Sequence, residues 1–203
     1  MPHRRHTITV ATSTLFFVCL VLHAQTNLYS QTFLAYNNPE AYKVYESLLP
    51  TDWTVTAVHA RRLLVQAQTG SKLDFCLKPD PESAALLQPV FDSFVTLSKT
   101  TWLLQPDFKL SIPYEFASSE DLHAFFKPGG AGWKGLAERY PDSAGSFIVL
   151  SPVAFNADKT IAVVYKGHSC GSLRGGGTFH VLEKKDGIWK NMRWRGTACA
   201  WSS

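Results

Sequence analysis

The stretch "GTFHVLEKKDGIWKNMRW", residues 177–194, decides the fold class. Two runs rich in aromatic and β-branched residues flank the pair Asp186-Gly187. An Asp-Gly pair between alternating runs is the strongest local signal for a two-residue β-hairpin turn. We therefore predict a hairpin in which Lys185 faces Ile188 and the pairing continues outward from there.

The spacing of apolar residues along the chain follows two different periods. Residues 145–155, 160–169, 177–185 and 188–201 read as four strands. The earlier part of the chain alternates apolar residues with a helical period, interrupted by one strand-like run. The predicted helices are 37–50, 82–98, 119–126 and 132–140, and the predicted early strand is 53–70.

Helices first and strands last predict an α+β protein. We expect the N-terminal helices to pack on a C-terminal four-stranded antiparallel meander, residues 146–203. Asn38 and Pro39 are suited to begin the first helix. Pro89 is expected to kink the second.

The N-terminus has the layout of a secretory signal peptide. Arg4 and Arg5 precede an uncharged apolar stretch, Ile8 to Leu22, and Ala24 is small enough for a cleavage site. We predict a signal peptide at 1–24 and a single α+β domain at 25–203, secreted or periplasmic. An uncleaved membrane anchor is the alternative.

Charge and hydropathy exclude some partners. The formal net charge is +4, and cleavage would remove Arg4 and Arg5 without removing an acid. Such a weakly basic chain gives no reason to expect nucleic acid. No apolar run after the leader is long enough to span a membrane. The seven histidines lack close metal-ligand spacing, so we expect neither a metal nor a cofactor.

Residues 150–190, "LSPVAFNADKTIAVVYKGHSCGSLRGGGTFHVLEKKDGIWK", resemble a group of uncharacterised exported bacterial proteins. Those proteins share a C-terminal pattern of an FN turn, an ALVY-like strand, a CGxLCGxG loop and an LEKKDGKW hairpin. "AERYPDSAG" at 137–145 is also similar to them. The resemblance implies export and no particular activity. One departure is Arg174, which stands where the group has a second loop cysteine.

Cys76, Cys170 and Cys199 remain after the leader, an odd number in an oxidising compartment. An unbroken hairpin register carries Cys199 opposite position 174, close to Cys170. We predict a Cys170–Cys199 disulfide, with Cys199 taking the place of the missing loop cysteine, and an unpaired Cys76.

"GHSCG", residues 167–171, matches the G-x-S-x-G pattern of serine hydrolases. That motif needs a strand-to-helix turn, with the triad acid before the histidine in chain order. Here glycines follow, and His180 precedes Asp186. A phosphate-binding loop is also disfavoured, because no Lys-Ser or Lys-Thr pair and no helix follow the glycines. We expect Gly175, Gly176 and Gly177 to form a wide turn between strands.

The leading hypothesis is a non-enzymatic binding or accessory module of the cell envelope or extracellular space. The alternative is a hydrolase or thiol-dependent enzyme with a site around Cys170, His168 and Arg174.

Three further groups have a structural and a functional interpretation. The hairpin register places Phe179, Val181, Met192 and Trp194 on a core face. The opposite face could bind an anionic glycan or a peptide, unless helices cover it or it is simply solvated. Its candidate ligand-binding residues are His180, Trp189, Arg193 and Arg195. Carboxylates at Glu115, Glu120 and Asp121 could pair, but a helix start at Ser118–Glu120 explains them better.

Overall fold

The computed structural model describes residues 32–49, 60–70, 76–171 and 174–202. The predicted signal peptide and residues 53–59 of the predicted early strand lie outside these ranges. The described residues from Phe33 onward belong to one compact unit.

The four predicted helices are confirmed, with small changes at their ends. Asn38 begins α1, where its side chain accepts a hydrogen bond from the Ala41 amide, and α2 runs through Pro89 without interruption. Ser118 begins α3 by accepting from the Asp121 amide, as expected for a helix start. The helices are α1 Pro39–Leu48, α2 Pro81–Leu97, α3 Ser119–Phe126 and α4 Gly132–Arg139, and a short 3₁₀ turn follows at Pro141–Ser143.

Eight strands of the described residues form one mixed sheet. The strands, in chain order, are β1 Leu34–Ala35, β2 Leu63–Gln66, β3 Lys78–Pro79, β4 Trp102–Leu103, β5 Tyr114–Ala117, β6 Ser146–Leu150, β7 Ala154–Phe155, β8 Ile161–Cys170, β9 Arg174–Lys185, β10 Ile188–Asn191, β11 Gly196–Thr197 and β12 Ala200–Ser202. The main path of the mixed sheet runs β10-β9-β8-β6-β2-β5, with β7 beside β8 and β12 beside β9. Two pairs of short strands, β1 with β4 and β11 with β3, lie outside this sheet.

The α+β class is confirmed, but the predicted four-stranded antiparallel meander is wrong. Strand β2 pairs in parallel with both β5 and β6, which joins strands from the first half of the chain to the C-terminal hairpins. Parallel neighbours need a long crossover rather than a tight turn. The chain between β2 and its neighbour β5 carries α2, and α3 and α4 then connect β5 to β6 on the other side of β2. No local turn signal marks such a pairing, so the sequence-based prediction began the sheet at residue 146 and left out β2 and β5.

One face of the sheet is covered by α1. Tyr45 and Val44 of this helix are buried against Val65, Val164 and other sheet residues. The start of α1 is tied to the β9–β10 hairpin, because the Glu40 carboxylate accepts hydrogen bonds from Lys184 Nζ at 2.7 Å and Trp189 Nε1 at 2.8 Å.

The other face is covered by the remaining three helices. Phe91 and Phe94 of α2 pack with Val163, Phe179 and their neighbours, which forms a second core. A third cluster joins α3 and α4 to β2 and β6 through Leu122, Leu136 and Leu64. The fold is therefore a three-layer α/β/α arrangement, with β8 buried on both faces over Ile161–Tyr165. That double burial explains the unbroken apolar run of β8.

The hairpin register is confirmed at its start and broken further out. Lys185 faces Ile188, and the ladder continues unbroken to Leu182 opposite Asn191. Thr178, however, faces Ala200, where an uninterrupted ladder would have placed Arg195. Between these two segments the chain leaves β9 to pair with β3 and then returns.

The predicted Cys170–Cys199 disulfide is wrong, and so is the unpaired Cys76. Cys76 and Cys199 form the disulfide, with Cα atoms 5.3 Å apart. The excursion that shifts the register also carries Cys199 toward β3. Gly196 permits it, since its φ is +145° and a Cβ there would collide with the Lys78 carbonyl oxygen. Cys170 lies buried at the end of β8 instead.

Candidate functional site

A cavity of about 450 Å³ opens on the face of the sheet that carries α2, α3 and α4. Its walls come from β2, α3, β6, β8 and β12. They combine aromatic and aliphatic side chains with a few polar ones. The lining residues are Gln66, Gly70, Ser119, Leu122, His123, Phe126, Phe147, Val149, Tyr165, Gly167, His168, Ser169 and Trp201.

Glycines shape the floor of this cavity. Gly167 on β8 lies between Val149 on β6 and Gly177 on β9. A Cβ at Gly167 would lie 2.8 Å from Tyr165 Oη, and one at Gly177 would overlap the same oxygen. The two glycines therefore leave room for the Tyr165 phenol to extend along the sheet. The expectation that Gly175–Gly177 form a turn is wrong, because all three lie within β9. The turn instead begins at Gly171, whose φ is +63°.

Tyr165 and Trp201 join the floor to the C-terminal strand. The indole Nε1 of Trp201 donates a 2.7 Å hydrogen bond to Tyr165 Oη. Burial raises the pKa of Tyr165 above its usual value, and the hydrogen bond from Trp201 opposes that effect. The phenol is therefore neutral at physiological pH and keeps a proton that it can donate. Without the Trp201 ring, this side of the cavity would be bounded only by the glycine-rich part of the sheet.

The polar wall is built from two glutamines and the start of α3. Gln66 Nε2 donates to the Gln68 carbonyl oxygen at 2.8 Å. Gln68 Oε1 accepts from both the amide and the hydroxyl of Ser119, at 2.7 and 2.9 Å. These bonds hold the Gln66 amide and the Ser119 hydroxyl in place beside the cavity. Their remaining hydrogen-bonding capacity, an amide oxygen and a hydroxyl lone pair among others, can serve a ligand.

The apolar wall is an aromatic group centred on α3. The Phe126 ring lies with its centroid 4.6 Å from that of Trp133 and 6.1 Å from that of Phe147. Trp133 and Phe147 are stacked at 6.1 Å behind it. Phe126 is nevertheless 40% exposed, and so is much of Trp201 at 36%. Exposed large apolar side chains that cluster beside a cavity indicate a binding site, whereas single scattered ones are common on protein surfaces.

Among the described residues that line the cavity there is no aspartate, glutamate, lysine or arginine. The ionisable side chains of this described lining are His123, His168 and the neutral Tyr165 phenol. These residues offer ring surfaces and hydrogen bonds, but no fixed charge to neutralise an ion.

The residues proposed for a thiol or hydrolase site are close in the sheet but divided between cavities. Cys170 faces Arg174 across the β8–β9 ladder, and His168 lies two residues before Cys170 on the same face. Cys170 and Arg174 line a separate cavity of about 210 Å³, while His168 lines the large one. Cys170 is only 3% exposed. Ser169 also lines the large cavity, within a strand that turns into β9 rather than into a helix.

The four residues of the predicted ligand face do not form one surface. Trp189 is buried beneath α1, at 4% exposure. His180 is half-buried, and its Nδ1 lies 3.2 Å from Asn191 Oδ1. Arg193 is exposed, and Arg195 lies in the excursion toward β3, where it pairs with Glu82 at 3.9 Å. A helix therefore covers the centre of the predicted face. Met192 and Trp194 pack with the second core, as predicted for their side of the hairpin.

Sequence reasoning missed most of the cavity, because its residues come from five separate elements. Gly167 and Ser169 were noticed only as part of a hydrolase pattern. The aromatic residues of α3 and β12 carried no motif. One usable signal was the glycine run on a strand-like segment, since glycine within a strand often marks a close approach of other groups.

Comparisons with known proteins return nothing: no family model, no curated protein and no solved structure matches the chain. Among the residues that the structure describes, no helix is long and apolar enough to cross a membrane. The same residues contain no group of three or more histidine, cysteine or acidic side chains that could hold a metal ion.

Proposed function

We propose that this protein is an exported, non-enzymatic module that binds a small uncharged molecule in the cavity between α3 and β12. The observation that carries the proposal is the described part of the lining, which combines apolar and aromatic surfaces with several polar groups and has no acidic side chain, lysine or arginine. Ligand sites in proteins are mostly apolar clefts of roughly 300–1,000 Å³ with a few well-placed polar groups. The cavity has this size and composition.

The chemistry of the lining favours a ligand without net charge. A buried ion needs an opposite charge or several hydrogen bonds to offset the loss of its hydration. For that purpose the lining residues that the structure describes supply hydroxyl, amide, imidazole and indole groups. A neutral molecule can use the same groups at its polar edge without such a penalty.

Export is supported by the N-terminal sequence and by the disulfide. Arg4, Arg5 and the apolar stretch after them are typical of a signal peptide. Disulfides persist in oxidising compartments and are rare in the cytosol. The Cys76–Cys199 bond is consistent with a secreted or periplasmic protein, as is the resemblance of residues 150–190 to exported bacterial proteins.

Binding without catalysis is favoured by the state of the candidate nucleophiles. A reactive cysteine is partly exposed and surrounded by positive charge, whereas buried structural cysteines are inert. Cys170 is buried. Ser169 lacks the following helix that a nucleophile elbow requires.

Fragment binding tests this proposal. Phenol, benzoate and benzylamine have similar size and carry zero, negative and positive charge. We expect phenol to bind with a Kd of about 1 mM, as befits so small a molecule. Benzoate and benzylamine should bind at least about fivefold more weakly, because the cavity cannot neutralise them. Ligand-observed NMR gives all three dissociation constants.

Two variants locate the binding. Val149→Phe places a ring in the cavity and should weaken phenol binding at least about tenfold by occupying its space. Ile188→Phe adds the same ring at an exposed position on β10 and should leave binding unchanged. Equal binding of the charged fragments would contradict the proposal, as would covalent labelling of Ser169 by a fluorophosphonate or binding that survives Val149→Phe.

A further inference from the structure

The cavity selects rings rather than chains or sugars. Resting on the function proposed above, we infer that its ligand is a flat aromatic molecule with a hydrogen-bonding group on one edge, such as a phenol or an indole derivative. The inference follows from which residues the fold leaves open at the cavity and from how the polar groups are distributed around them.

Open aromatic side chains occur together at this cavity. The structure leaves five large apolar side chains exposed in the residues it describes, and two of them are aromatic. These two, Phe126 on α3 and Trp201 on β12, both line the cavity, and Phe147 on β6 lines it as well. The exposure of an apolar ring to water is unfavourable, and covering the ring lowers the free energy. Three rings from three different elements therefore provide apolar faces that a planar ring can contact.

Trp201 is held open by specific contacts. Its indole nitrogen is bonded to Tyr165 Oη, which fixes the position of the ring. Strand β12 is itself paired to β9 at Gly176, Gly177 and Thr178. A ring that is fixed in advance loses little entropy when a ligand packs against it. Phe126 is likewise held by its contacts with Trp133 and Phe147.

Polar groups occupy part of the cavity wall. Gln66 and Ser119 are held together by Gln68 and form one polar edge, while His123 and Ser169 add polar groups on α3 and β8. Leu122 and Val149 belong to the apolar part of the lining. A sugar carries hydroxyls around its whole rim, and each hydroxyl buried against the apolar part would lose its hydrogen bonds to water without replacement, which weakens binding. An aromatic ring with one polar edge avoids that cost.

Comparing the binding of phenol with that of a saturated ring of the same size distinguishes recognition of an aromatic ring from burial of apolar surface alone. Phenol and cyclohexanol have the same number of heavy atoms and one hydroxyl, whereas methyl β-glucoside represents sugars. We expect phenol to bind at least about fivefold more tightly than cyclohexanol, because contacts between aromatic rings add to area burial. Methyl β-glucoside should not bind measurably at 10-fold the Kd of phenol.

Truncating a cavity ring should remove this preference. Phe126→Ala and Trp201→Leu should each weaken phenol binding about three- to tenfold and change cyclohexanol binding less than about twofold. Leu86→Ala is the matched control, since Leu86 is also exposed on a helix, at 49%, and does not line the cavity. It should change neither constant.

The outcomes distinguish this inference from the proposed function. If cyclohexanol binds as tightly as phenol and Val149→Phe abolishes both, the cavity binds neutral molecules but does not select aromatic ones, and the inference is wrong. Tighter binding of methyl β-glucoside than of phenol would also show that the inference is wrong. If none of the three probes binds, the proposed function itself is wrong.

Discussion

The two halves of the β8–β9 ribbon differ in what covers them. In the apolar half, Ile161–Tyr165 and the facing residues of β9 are buried by α1 on one face and α2 on the other. In the glycine half, Gly167 faces Gly177 and His168 faces Gly176, and the Tyr165 phenol and the Trp201 indole lie over Gly177 where a helix covers the other half. One continuous pair of strands thus supplies both the centre of the core and the floor of a cavity. The difference shows that side-chain volume, rather than backbone pairing, determines where a sheet is covered by a packed core and where it borders a cavity.

The largest effect is expected in the apolar half. Leu182→Ala removes a fully buried side chain from β9 and should lower the free energy of unfolding by about 2–5 kcal/mol. Val149→Ala, at the cavity, should cost under about 1 kcal/mol, because its side chain is already partly open to solvent. Urea denaturation of both variants measures the contrast. Equal losses would mean that the cavity is closed and packed like the core.

The disulfide is expected to come next, because it holds the strand that forms one wall of the cavity. Replacing Cys76 and Cys199 together by Ser should lower the free energy of unfolding by about 2–4 kcal/mol. It should also loosen β12, since the bond closes the excursion just before Ala200.

The Trp201 indole N–H signal in NMR reports that local effect, and Cys170→Ser is the control. The strand assignment would be contradicted if the Trp201 resonance kept its position and sharpness in the double variant.

Lowering the pH should destabilise the apolar half of the β8–β9 ribbon, because the Glu40 carboxylate becomes protonated. Burial acts to raise the pKa of this carboxyl, but the hydrogen bonds from Lys184, Trp189 and Lys43 outweigh it and lower the pKa from 4.5 to about 2. A lowered pKa in the folded state gives stability that is present above about pH 4.5 and lost as the pH falls toward 2.

Glu40→Gln should remove that part of the pH dependence, with a loss of about 1–3 kcal/mol at pH 7. The free energy of unfolding of both proteins, measured from pH 7 to pH 2.5, gives the difference. Glu138→Gln, in an exposed helical ion pair, should behave like the unaltered protein. Parallel pH profiles for Glu40→Gln and the unaltered protein would refute this assignment.

The smallest expected effect is in the glycine half. Gly177→Ala places a methyl group against Tyr165 Oη and Trp201 Nε1, so it should break their hydrogen bond. The cost should be about 1–2 kcal/mol, because strain from overpacking exceeds what alanine gains over glycine in a strand. Trp201 should lose its indole N–H shift, whereas the neighbouring Thr178→Ala should preserve it. An unchanged indole signal in Gly177→Ala would show that the floor can adjust.

The candidate site was mostly beyond prediction from the sequence. The sequence of "GHSCGSLRGGG" was interpreted as lacking the helix of a hydrolase elbow, and Ser169 lies in a strand that is followed by another strand. Nothing local connected Gly167 to Phe126 on α3 or to Trp201 near the end of the chain. Cavity walls from separate elements meet only through tertiary packing, which leaves no periodicity or spacing to detect.

Local physics by itself determined the helices, the Asp186-Gly187 turn and the first part of its register. Caps such as Asn38 and Ser118 act within four residues, and a two-residue turn aligns its neighbours without outside help. Only the tertiary structure decided that β2 and β5 would join the sheet and that Cys199 would reach Cys76. These are contacts between residues far apart in the chain. Their free energy depends on which surfaces the rest of the fold brings together, so a residue such as Gly196 has its role only once β3 lies beside it.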